Sequence, residues 1–174
     1  MVPHLHRGFP DRAAVSFGRG SPGILVLILS LPDRHERLYW SHFAPDTDPV
    51  LASVMVPQRS AGDIGMQLFQ MKDYPGAELV FERRLREEPA DSIARLFLLI
   101  ARLELDKEAG MELEGIALEQ GVPSLWEQSV AWYEGLALLR AGNTHQAQLH
   151  FSALSRVQGP YRESAGKLAK AMSK

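Results

Sequence analysis

The chain has 174 residues, 45% of them hydrophobic and 23% charged, with a formal net charge of −2. That balance can bury a core, and it lacks the cluster of Lys and Arg that sequence-independent nucleic-acid binding needs to neutralise phosphates. There is no cysteine, which excludes disulfides, thiolate metal sites and a cysteine nucleophile.

Residues 1–22 are rich in Gly, Pro, Arg and His and have no period, the pattern of a loose terminus. The most apolar stretch follows, from Gly23 through Ile24 to Leu31. A helix crossing a bilayer takes about 20 apolar residues, and this run is closed by Pro22 on one side and Pro32-Asp33-Arg34 on the other. Three readings stay open for it: a buried segment, a shortened membrane anchor, or a signal sequence, although no Ala-x-Ala follows Leu31. Localisation divides the same way, between a soluble cytoplasmic chain and one anchored through residues 23–31. Between 33 and 60, aromatics (Tyr39, Trp40, Phe43) mix with Pro45, Pro49 and Pro57. Prolines forbid one long helix, so a short helix over Arg34–Phe43 and then an extended connector are expected. Residues 1–60 thus read as an irregular N-terminal arm and 61–174 as a helical repeat domain.

From Ile64 the apolar residues recur at helical spacing. Helices are predicted near 61–71, 75–87, 91–105, 108–119, 124–141, 144–157 and 161–172. The breaks have their own chemistry. Lys72-Asp73 and Gly142-Asn143 read as tight turns, with Asp73 and Asn143 placed to cap the next helix. Asp91 is a second cap after Pro89, and Gly121-Val122-Pro123-Ser124 supplies a terminator and a cap. Gly159-Pro160 precedes the last helix.

The helices also repeat. Gly65, Leu68, Ala77 and Phe81 return as Gly135, Leu138, Ala147 and Phe151, each 70 positions on. Two periods of 35 fit that offset, and repeats of this length are a signature of stacked helix pairs. Ala109, Leu113 and Ile116, with Phe97 and Ile100, form a weaker middle copy. The expectation is that Gly65 and Gly135 face Ala77 and Ala147, so that paired backbones approach closely, while Phe81 and Phe151 fill the seam with the next pair.

Ile64, Gly65, Leu68, Tyr74, Ala77, Phe81 and Pro89, and again Gly135, Leu138, Ala147 and Phe151, resemble the tetratricopeptide repeat (TPR) pattern. Ala61 departs from it where the family often has Trp. Trp40-Ser41-His42-Phe43-Ala44-Pro45 is similar to the aromatic-x-x-Phe-x-Pro connector of a group of bacterial TPR proteins, in which a membrane helix precedes about three repeats. The resemblance implies an all-α fold: about three TPR-like antiparallel helix pairs plus a C-terminal capping helix, in a right-handed α-solenoid. It also implies a concave side lined by Met66, Phe69 and Gln70, then Leu98 and Arg102, then Trp132, Leu136, Leu139 and Arg140. Such an apolar lining suits a peptide or an amphipathic helix. The alternative is that these residues are core, buried by neighbouring helices or by the chain's own N-terminus, with Ile24–Leu31 as an occupant in cis.

Candidates for chemistry are weak by comparison. His4-x-His6 lacks the third ligand a metal site requires, and His145 and His150 lie five apart on a helix. Glu87, Glu88, Glu112 and Glu114 interleave with Arg83, Arg84, Arg86 and Lys107, as on a solvated face. No phosphate loop or Gly-x-Ser-x-Gly setting occurs. The expectation is therefore a non-enzymatic protein-interaction module without metal or cofactor. It binds another protein or peptide, with a membrane-tethered version as the alternative.

Overall fold

A computed structural model describes residues 33–55, 63–105 and 123–173. The chain divides into two compact units, residues 1–33 and Arg34–Lys174; the description below is of the second. Its described residues form α1 (Arg34–His42), a 3-10 turn (Pro45–Thr47), α2 (Pro49–Val54), α3 (Ile64–Gln70), α4 (Tyr74–Glu87), α5 (Ser92–Glu104), α6 (Leu125–Arg140), α7 (Thr144–Leu154) and α8 (Arg162–Met172). No strand occurs among them. The helix expected over 108–119 and the apolar run 23–31 lie outside the described residues.

Five of the helices start where a side chain satisfies free amides. Asp48, Asp63, Asp73 and Asp91 accept from backbone N–H groups of α2, α3, α4 and α5. Ser124 and Glu127 make a reciprocal capping box at the head of α6. Asn143, expected to cap α7, makes no side-chain bond there. Arg84 ties two of these starts together, with one nitrogen 2.5 Å from Asp63 and another 2.5 Å from Asp91.

α3 and α6 end in the same way. Lys72 (φ +61°) and Gly142 (φ +78°) take the left-handed conformation. The Asp73 amide then donates to the Leu68 carbonyl and the Lys72 amide to Phe69; Asn143 donates to Leu138 and Gly142 to Leu139 in matching fashion. This six-to-one and five-to-two bonding closes a helix and reverses the chain. It folds α4 back on α3 and α7 back on α6.

Consecutive helices α3–α4–α5 and α6–α7–α8 pack side by side, and α5 also meets α6. The 70-residue recurrence is structural as well as sequential. Ala77, Ala147, Phe81 and Phe151 are all fully buried. The expected small-against-small contact is corrected in one respect. A Cβ on Gly65 would come within 2.7 Å of the Phe81 ring, and one on Gly135 within 2.8 Å of the Phe151 ring. The nearest neighbour of each glycine is thus a phenylalanine edge. Phe81 goes on to stack with Phe97 of α5 (6.0 Å between centroids), across the seam with the next pair as expected. Phe151 instead meets Trp132 of its own pair (5.4 Å).

The connector after α1 also differs from expectation. Its described part is a 3-10 turn and a short helix, because Pro45 and Pro49 each stand in the first turn of a new helix, where a missing N–H costs nothing. An arm drawn to residue 60 therefore takes in two helices that belong to the compact unit starting at Arg34.

Candidate functional site

Among the nine residues expected to line a groove, six are interior. Met66, Phe69, Leu98, Trp132, Leu136 and Leu139 all lie in one buried cluster. Gln70 is exposed, and Arg102 and Arg140 are half-buried. The structure thus presents no open apolar lining at these positions, and part of the cover on α6 comes from the chain's own N-terminal segment. Residues 34–55 lie against α6, α1 also touches α8, and α2 reaches α6 as well.

The fit of this segment is made by a few side chains. Tyr39, with no exposed surface, stacks on Phe43 (5.0 Å). Phe43 meets Tyr133 of α6 edge-on (6.3 Å), and His42 meets Trp132 (6.4 Å). The Arg140 guanidinium sits 5.1 Å from the Tyr39 ring centre and 5.5 Å from that of Trp40, a cation–π position. It also donates to the Leu103 carbonyl (2.5 Å), so one side chain joins α1, α5 and α6. Gln70 donates to the Met55 carbonyl at the end of the segment (2.8 Å). Lys72 pairs with Asp46 in the open (2.7 Å), and Arg34 donates to the Ala171 carbonyl at the end of α8.

At the centre is Asp48. Its carboxylate is 6% exposed and accepts from the Val50 and Leu51 amides at the head of α2. It also accepts from the Tyr133 hydroxyl of α6 (3.0 Å) and from the Tyr161 hydroxyl just ahead of α8 (2.7 Å). Burial, and then the adjacent Asp48 charge, push both tyrosines well above the usual phenol range, so they remain protonated donors. Burial likewise raises Tyr39, against the opposing pull of Arg140. The arrangement is a clasp: one acid caps a short helix and is gripped by two helices distant in sequence. Asp48-Pro49 carries a helix-start signal where an extended connector is expected. That Tyr133 and Tyr161 would converge on it was not, because they lie 85 and 113 residues away.

Arg102, expected to face a partner's acids, already has two within the chain: Glu78 (3.2 Å) and Glu82 (2.6 Å) of α4. No group of His, Asp or Glu among the described residues could hold a metal ion; His4 and His6 lie outside them. No described helix is long and apolar enough to cross a membrane. Comparison with protein-family models, curated proteins and solved structures gives no match.

Proposed function

We propose that this chain is a protein-interaction module, an adaptor or scaffold of the tetratricopeptide type. In this reading about three helix pairs and a capping α8 form a right-handed α-solenoid whose inner face takes a peptide or helix from another protein. Support comes from the 70-residue recurrence of Gly65, Leu68, Ala77 and Phe81, from the matching turns at Lys72 and Gly142, and from the glycine–phenylalanine contact in both pairs. The observation that carries it furthest is that the face of α6 already holds a helical polypeptide segment, residues 34–55, through aromatic and charged contacts. A face that fits one such segment has the chemistry to fit another. Fold type alone does not give function, so the reading stands or falls on a captured partner.

Photo-crosslinking in the source cell tests it. A crosslinker placed at Gln70, Arg102 or Arg140 is expected to trap a defined polypeptide, and one at the exposed Leu79 or Leu149 is not. Crosslinks from Leu79 and Leu149 alone would move the site to the other face. No trapped polypeptide from any position, together with turnover of a small molecule, would end the interaction reading.

The run Ile24–Leu31, just ahead of α1, favours a second version in which the module is tethered to a membrane of a bacterial envelope or regulatory assembly. Recovery of the whole full-length chain in the soluble fraction of its cell rejects it.

A further inference from the structure

The segment that covers α6 is seated by apolar and polar contacts together. Tyr39, Phe43, Val50 and Leu51 join the same buried cluster as the helix pairs. Residues 34–55 are held as well by a buried carboxylate, two tyrosine hydroxyls, a cation–π contact and one side-chain bond at each end, from Arg34 and from Gln70. These are the elements of recognition between separate partners: aromatic and arginine anchors at the centre, with charged contacts such as Lys72–Asp46 at the rim. Helices of nine and six residues do not stand alone in water, so the order of this segment comes from being docked. The segment joins the repeats through residues 56–62 and is continuous with residues 1–33 on its other side. It is not threaded between paired helices: α3 packs on α4 and α6 on α7 directly.

We infer that residues 34–55 are an exchangeable intramolecular ligand, and that the partner this face takes is a peptide of the same chemistry. That chemistry is an aromatic residue, a second aromatic four positions on, and nine positions after the first a carboxylate that caps a short helix begun by proline. In this chain the set is Tyr39, Phe43, Asp48 and Pro49. The inference rests on the peptide-holding reading above and adds the partner's pattern and the gate. A short tether holds the resident segment at roughly millimolar effective concentration. An outside peptide of equal intrinsic affinity is therefore shut out at micromolar levels. It enters when it binds better, or when the tether is cut or its two ends are pulled apart.

The test uses the full chain with a protease site inserted between residues 55 and 63, and a fluorescent peptide of residues 34–55. Before cleavage, anisotropy is expected to show no binding at micromolar peptide. After cleavage the peptide should exchange in, with an apparent affinity at least about tenfold tighter and with the helical circular dichroism retained. A peptide carrying Asp48→Asn should bind about tenfold more weakly than the native one. Loss of helicity on cleavage would make the segment part of the core and overturn the inference. So would a cut segment that never exchanges, equal binding before and after cleavage, or equal binding of the two peptides. Native-partner crosslinking is a separate readout: a partner trapped at Gln70 with no peptide exchange sinks the gate and leaves the interaction module standing.

Discussion

Lys72 and Gly142 do the same work with unequal means. Both close a helix in the left-handed conformation, which costs a side-chain-bearing residue roughly 1–2 kcal/mol and glycine almost nothing. Lys72→Gly should therefore stabilise the fold by about 0.5–1 kcal/mol. Its side chain pairs with Asp46, in an exposed contact worth about 0–1 kcal/mol. Gly142→Lys should cost about 1–2 kcal/mol. Urea midpoints of the two variants, moving in opposite directions, check this; a shared direction contradicts the equivalence of the turns. His150 gives a residue-scale prediction in pH. Partial burial lowers its pKa below the usual 6.5, so the folded chain binds fewer protons than the unfolded one as pH falls through that value. Its contribution is fully present above about pH 6.5 and is lost on the acid side. Between pH 7.5 and 5.5 the wild type should lose stability more steeply than His150→Gln, measured as the shift in denaturation midpoint.

At the scale of elements, the helix starts separate into those that a side chain fixes and those, at α7 and α8, that it does not. Ser124 takes part in a complete capping box, so Ser124→Ala should cost about 1 kcal/mol. Asn143 makes no such bond, and Asn143→Ala should change stability by no more than about 0.5 kcal/mol, although the residue types predict equal losses. Thermal denaturation of the two variants distinguishes the accounts. Helix positions were legible from apolar spacing and from the capping residues Asp73, Asp91 and Ser124, whose bonds are local and need only a few neighbouring residues. α7 is three residues shorter than expected because its C-terminus gives way to a turn in which the Arg156 and Val157 amides reach back to the Ala153 and Leu154 carbonyls. The connector differs from the expectation because Pro45 and Pro49 begin helices rather than break them. Its position relative to Asp48, not its presence, decides which.

At the scale of the whole molecule, Asp48 is the point on which α2, α6 and the start of α8 converge. Asp48→Ala would leave the Tyr133 and Tyr161 hydroxyls buried without this acceptor, at about 1–3 kcal/mol for each group left unsatisfied. Tyr161→Phe alone should cost about 1.5–3 kcal/mol, as expected for a hydrogen bond to a charged acceptor. The two losses should not add. A double-mutant cycle between Asp48→Ala and Tyr161→Phe should return a coupling of at least about 1 kcal/mol; additive losses would mean that the clasp is incidental to holding the segment in place.

The sequence alone determined what depends on near neighbours and on period: helices from Ile64 onward, their caps, and the recurrence that sets Gly65 and Phe81 beside Gly135 and Phe151 in kind. Whether the face of α6 is open or covered was a tertiary matter. Tyr39, Phe43 and Asp48 have apolar or capping roles in many local settings, and their partners on α6 and at the head of α8 are 85 to 113 residues away. Local chemistry fixes which helices form, because their bonds span three or four positions. Burial is settled only when distant segments compete for the same surface, and here residues 34–55 take it.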